Sequence, residues 1–239
     1  MQKIWGMAKA ALIVVLLTTS GYTGAQTSAV DETTGGVHEQ SPKTLAILPF
    51  ENNSVTEPEH YEPLTNGLSA MLITDLSNQV STLKLIERDK IQALLKEIAL
   101  SQSGAIDQST AVRAGTILGA QATTFGSFMV LGNQVRIDAR IVKVETSEVL
   151  MAASILGRSD NFIQLEQELA AKIAKSLNST FTPVIETSTS DIDAALYFSR
   201  GLAAHDRGDV ATAKRMFDQS IARDAAYKVQ VESVTGMKP

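Results

Sequence analysis

The stretch QATTFGSFMVLGNQVRIDARIVKVETSEVLMAAS, Gln121–Ser154, decides the fold. Ala122 to Leu131 is a run of small, aromatic and aliphatic residues. Gly132-Asn133 interrupts it, and a glycine-first pair between apolar runs predicts a tight hairpin turn. Beyond the turn the residues alternate. Val135, Ile137, Ala139 and Ile141 fall on one face; Arg136, Asp138, Arg140 and Val142 fall on the other. A period of two marks a half-buried strand with one face on a core. Glu145-Thr146-Ser147-Glu148 turns the chain again, and Val149 to Leu156 reads as a third strand. A meander of this kind needs a helical layer over its apolar face. Nothing in it has the makings of a catalytic centre, which favours a scaffold or a binding module.

The residues before the meander supply strands and helices. Thr44 to Phe50 is a short apolar run interrupted by Pro49, as at the end of a buried strand. Glu51 to Glu62 is polar and reads as a loop. Leu64, Leu68, Met71, Leu72 and Leu76 form one helical stripe, predicting a helix over Pro63–Asn78 with the proline in its first turn. Leu83 to Glu87 is a second short strand. Asp89 is placed to cap a helix whose stripe is Ile91, Leu94, Leu95 and Ile98, and Ser101–Gly104 breaks it. Asp107 or Ser109 can cap a further helix, Thr110–Leu118, ended by Gly119. After the meander, Asn161 is the expected cap of a long helix with apolar positions Phe162, Leu165, Leu169, Ile173 and Leu177. The order is β-α-β-α-α-β-β-β-α. A strand-helix-strand start favours a parallel pair with a right-handed crossover. The expected fold is therefore α/β: a mixed sheet of about five strands with flanking helices, plus a C-terminal α-helical hairpin.

Composition narrows the function. The 239 residues carry 21 Lys and Arg against 26 Asp and Glu, a net charge of −5. That argues against a nucleic-acid partner, which wants a basic face. Cysteine is absent, which excludes a thiol nucleophile, a disulfide framework and a thiolate metal site. His38, His60 and His205 stand far apart, without metal-ligand spacing. No phosphate loop, Ser-His-Asp order or glycine fingerprint occurs. Neither a cofactor nor a metal site is expected, and the chain reads as non-enzymatic.

The first residues read as a targeting segment. Lys3 and Lys9 precede the apolar run Ala10–Leu17, and Thr23-Gly24-Ala25 offers small residues for cleavage before Gln26. This is the charge, core and small-residue order of a secretory signal. The core is far short of the roughly 20 apolar residues of a membrane span. The expected division is a signal peptide over 1–25, a polar linker over 26–43 and the α/β domain over 44–178. A second linker over 179–192, a helical hairpin over 193–227 and a tail over 228–239 follow. The expected location is the periplasm. Lipidation is not expected, since no cysteine can carry it.

The α/β stretch resembles the CsgG family of bacterial envelope proteins, named for the curli secretion channel subunit. The resemblance rests on Leu45–Phe50, Ala70–Leu76, Leu85–Arg88 and Leu118–Ala120. It continues through Gly126–Phe128, Ile137–Val142 and Val144–Leu150, and covers about Lys43 to Leu177. The resemblance implies a periplasmic α/β module, often oligomeric, with no chemistry of its own. This chain departs from the channel subunit in two ways. The channel's long membrane hairpins have no counterpart, because Gly132-Asn133 is a two-residue turn and Ile155–Ser159 passes straight into a helix. A barrel strand needs about 9 to 11 residues and a hairpin twice that. The lipid-anchoring cysteine is also missing. A transmembrane pore is therefore not expected, while peripheral contact with a membrane stays open. The implied partners are envelope proteins, and a second copy of the chain in a homo-oligomer. Regulation of a periplasmic enzyme is the alternative, as in the lipoprotein activators of peptidoglycan synthases that share a related fold.

Asp193 to Tyr227 resembles one tetratricopeptide repeat. Tyr197, Gly201, Gly208, Ala213 and Phe217 fall at its spacings, Ser220 stands at a small-residue position, and Ala225 replaces the usual proline. Tyr197 and Phe217 are expected to fill the space between two antiparallel helices. A lone repeat cannot bury its own face, so it should dock on the main domain or on a partner. Three polar groupings remain. Asp75 lies off its apolar stripe and is expected to be solvated. Glu87-Arg88 sits at a strand-to-helix junction and should pair locally or across subunits. Arg136, Asp138 and Arg140 form a ladder of alternating charge, the candidate protein-binding face.

Overall fold

A computed structural model describes residues 41–101, 106–183 and 192–236, with the backbone alone for 98–101. The expected signal peptide and nearly all of the first linker lie outside the described residues, as do His38, Gly104 and most of the second linker. The meander forms as the sequence dictates. Strands β4 (Ala122–Leu131), β5 (Gln134–Lys143) and β6 (Val149–Arg158) pair antiparallel along their lengths. Gly132 turns at φ +59°, a conformation open to glycine at no steric cost. On β5, Val135, Ile137, Ala139 and Ile141 are buried on one face, while Arg136 and Arg140 are exposed on the other.

The rest of the sheet is parallel. Strand β1 (Thr44–Ile47) lies between β4 and β3 (Lys84–Leu85), giving the order β3-β1-β4-β5-β6. Just beyond Pro49, β2 (Glu51–Asn52) resumes pairing with β4. This makes a mixed sheet of six strands. The stretch expected to be all loop therefore holds β2, and also the short helix α1 (Pro58–Tyr61).

Helices cover the sheet unequally. On the meander's apolar face lie α2 (Leu64–Gln79) and α5 (Phe162–Ser176). Phe128, Ile137, Leu68, Met71, Phe162 and Leu169 meet there in one core, each at most 1% exposed. Burying a side chain of this size contributes about 1.5–3 kcal/mol. A further tier packs on α2: α6 (Ile192–Asp206), α7 (Val210–Arg223) and α8 (Tyr227–Thr235). Gly67 of α2 permits a close approach to α6, since a Cβ there would stand 1.8 Å from the Ser199 hydroxyl. On the opposite face, α3 (Arg88–Ser101) and α4 (Gln108–Leu118) cover only part of the sheet. They share a smaller core with Ala46, Leu48, Phe125 and Val142.

Several local expectations are refined. Asp107 caps α4, accepting from the Thr110 amide, and Gly119 ends it. Asp89 lies inside the first turn of α3 instead of before it. Asn161 precedes α5 but its side chain makes no capping bond; a 3-10 turn over Ser159–Asn161 leads in instead. In the α6–α7 pair, the side chain buried against Phe217 is Phe198, with ring centroids 6.0 Å apart; Tyr197 is half-buried. The Ser220 hydroxyl donates to the Ala194 carbonyl at 2.8 Å, joining the two helices.

The faces of β5 can be tested directly. Ile137→Asp should destabilise the protein by about 3 kcal/mol or more, because it buries an unpaired carboxylate. Arg136→Ser, one residue away, should change the melting temperature little. Thermal unfolding of the two variants checks this, and equal losses would mean the two faces do not differ in burial as described.

Candidate protein-binding face

Because α3 and α4 stop short, the outer face of the meander is left partly open. Its rows run across the three strands as Phe125–Arg140–Ala152, Ser127–Asp138–Ser154, Met129–Arg136–Leu156 and Leu131–Gln134–Arg158. The pleat places Arg136, Asp138 and Arg140 together here, on the side opposite the main core. They line a groove of about 560 Å³ with Phe125, Ser127 and Ser154.

The charges are organised. Arg136 holds Asp138 in a two-pronged hydrogen bond, Nε donating to Oδ2 at 2.8 Å and Nη2 to Oδ1 at 2.9 Å. That bond, helped by Ser154 and the Arg140 charge, holds the Asp138 carboxyl below its ordinary 3.8 against the opposing effect of burial. Arg158 and Asp160 repeat the two-residue pairing at the end of β6, at 2.6 Å. Leu131 and Leu156 stand among these pairs, 57% and 66% exposed. Strand β6 also ends the sheet, pairing on one side only among the described residues. Paired charges beside exposed leucines make a surface suited to another protein: apolar contact area with a polar surround that needs little desolvation.

The other sequence candidates have separate places. Arg88 reaches across to the last turn of α6, where Nη1 donates to Asp206 Oδ2 at 2.7 Å and Nη2 to Oδ1 at 2.6 Å. Burial pushes the Asp206 carboxyl up, but the Arg88 bonds and charge outweigh it and the net displacement is downward. This pair lines a second groove, about 710 Å³, between α2, α3, α6 and α8. Glu87 pairs with Lys90 on the surface at 3.3 Å. His60 lies edge-on to Tyr61, and His205 lies 4.0 Å from Asp206. Among the described residues no three His, Asp or Glu side chains are grouped to hold a metal. Asp75 corrects the sequence reading: it is only 7% exposed. It faces inward because α2 is covered on both sides, by the sheet and by the C-terminal helices. There it meets Glu166 of α5, itself fully buried, and Gln230 of α8.

Residues 34–136 match the family described as curli production assembly/transport component CsgG. The matched residues are CsgG-like; they run through β1 into the start of β5 and make up somewhat less than half of the chain. Similar solved structures include the lipoprotein GNA1162 from Neisseria meningitidis. It is 20% identical, with 58% of this chain and 100% of that one covered at a TM-score of 0.40. The LpoB C-terminal domain from Salmonella enterica is 14% identical, covering 52% and 88% at 0.36. The PelC dodecamer from Paraburkholderia phytofirmans is 13% identical, covering 58% and 90% at 0.30. Curated protein sequences give no match.

The Arg136–Asp138 pair has a measurable signature. In Arg136→Ser the Asp138 carboxyl should titrate upward, toward or above 3.8. Because the folded value is depressed, the pair's small contribution is present above the unfolded value and lost as pH falls through the folded one. Carboxyl carbon NMR titration of both proteins checks the direction; coincident curves would mean that the pair is not formed in solution.

Proposed function

We propose that this protein is a non-enzymatic, exported bacterial envelope protein that binds other proteins in assembly or secretion at the cell surface. The observation that carries the reading is the open outer face of the meander, with Arg136, Asp138 and Arg140 beside Leu131 and Leu156. The CsgG-like domain supports an envelope setting, and the charge, core and small-residue order of residues 1–25 supports export. Envelope proteins are the partners in this reading, together with further copies of the chain.

The same reading has the protein form no pore by itself. Strands β4 and β5 are joined by two residues, β5 and β6 by residues 144–148, and all three are ten residues long. Each is already paired within a sheet packed on helices, leaving no extra strand pair for a lipid-facing wall among the described residues. Among the described residues no helix is long and apolar enough to cross a membrane.

Affinity capture from periplasmic extract tests the partner claim. Wild-type protein should retain a defined envelope component, and a Leu156→Asp, Arg140→Glu variant with an unchanged melting temperature should lose at least tenfold of it. Equal retention by the variant would remove the outer face as the site. Capture of a cell-wall synthase would favour the alternative, regulation of a periplasmic enzyme. N-terminal sequencing should find the mature chain starting near Gln26. Light scattering should show self-association, and planar-bilayer recording should show no channels. Reproducible conductance from that preparation would overturn the no-pore reading.

A further inference from the structure

The most unusual chemistry in the molecule lies away from the outer face, where α2, α5 and α8 meet. Asp75, Glu166 and Gln230 come together there, 7%, 0% and 2% exposed. The Gln230 amide donates from Nε2 to Asp75 Oδ1 at 2.6 Å. Asp75 Oδ2 and both Glu166 carboxyl oxygens are buried and accept no hydrogen bond from another donor group. Two carboxylates facing each other away from water cannot both ionise at reasonable cost. A proton between them supplies the donor that these oxygens lack.

The surroundings offer no substitute. From α2 the group facing Glu166 is Asp75; from α8 it is Gln230, acting through Asp75. Alongside, Ser233 of α8 and Thr74 of α2 are hydrogen-bonded at 3.2 Å. No lysine, arginine or histidine of β5, β6, α6 or any other described element acts on either carboxyl. Burial, reinforced by Asp75, pushes the Glu166 carboxyl well above its ordinary 4.5. Burial also raises Asp75, partly offset by its bonds to Glu166 and Gln230. Both displacements fit one proton held by the pair.

We propose that Glu166 and Asp75 share a single proton, and that this shared proton keeps α8 clasped to α2 through the Gln230–Asp75 bond, releasing it as pH rises. Of the three helices, α8 is the one that can leave. It is nine residues long and packs on α2, α6 and α7 without entering the sheet's core. Helices α2 and α5, by contrast, are held in the main core against the sheet. Ionising Glu166 creates a second buried negative charge beside Asp75. Moving α8, with Gln230, uncovers Asp75, so that water can solvate the charge of the pair. The move also uncovers Tyr227, buried against Phe198, and the partly buried Val231 and Val234.

The sign follows from linkage. A group whose folded value is raised contributes stability fully present below its unfolded value, here about 4.5. That contribution is lost as pH rises through the folded value. Hydrogen exchange of the intact protein tests the clasp, with each rate corrected for intrinsic base catalysis. In the wild type, protection of α8 amides should fall by about tenfold per pH unit once Glu166 ionises. Protection in α7 should stay level. In Glu166→Gln, and independently in Asp75→Asn, the pH dependence of α8 should disappear. Wild-type protection of α8 that is level from about pH 5 to 9 would overturn the proposal, since buried carboxyls ionise within that range. So would a parallel loss in α7, or an unchanged slope in a variant that folds. The wild-type profile decides alone if a variant fails to fold, and none of these outcomes depends on partner binding at the outer face.

Discussion

The inner face of the meander is the constraint on which the structure depends. Phe128, Val130, Val135, Ile137, Ile141 and Ile155 present a continuous apolar surface that water would contact if nothing covered it. A three-stranded meander cannot remain folded with such a face bare. Helices α2 and α5 cover it, and the parallel strands β1 and β3 extend it. Once α2 is committed there, its far side of small and polar residues receives α6 and α8, and α7 packs on α6 beyond them. The tiers are thus successive answers to one burial problem. The outer face is answered only in part: α3 and α4 cover one portion, and the rest sets self-paired charges beside the exposed Leu131 and Leu156, which leaves it available to a partner.

The meander was legible because two strong local signals coincide: a period of two, and a glycine-first turn of the required length. Its alternation also separated Ile137 from Arg136 and so located the candidate face. The elements that escaped are short. β2 spans two residues and α1 four, too few for any periodicity to register. Helix α8 is nine residues long, and its inward-facing residues include Gln230, which disguises the apolar stripe.

Asp75 shows a different kind of difficulty. Periodicity assigns one apolar stripe to a helix and treats the opposite side as wet. Helix α2 breaks that assumption, since Leu68 and Leu72 are buried and so are Gly67, Ser69, Thr74 and Asp75. The second side is made of small and polar residues because it receives helices and not a sheet. Reading it correctly would have required knowing that the C-terminal helices return to it from more than a hundred residues away. Phe198 was passed over for Tyr197 for a related reason: repeat spacing fixes a helical face only to within one residue.

Gly67 gives that distant return its register. With Ser199 where a Cβ would lie, the backbones of α2 and α6 mesh at one point along their lengths. A slide of α6 by one turn, about 5.4 Å, would bring a different residue to that notch. The notch therefore acts as an index mark for how α6 lies along α2, the register in which Asp206 at its last turn meets Arg88. A side chain at this position would have to displace Ser199 or shift α6, so a single missing methyl group sets how closely the C-terminal helices sit on the domain.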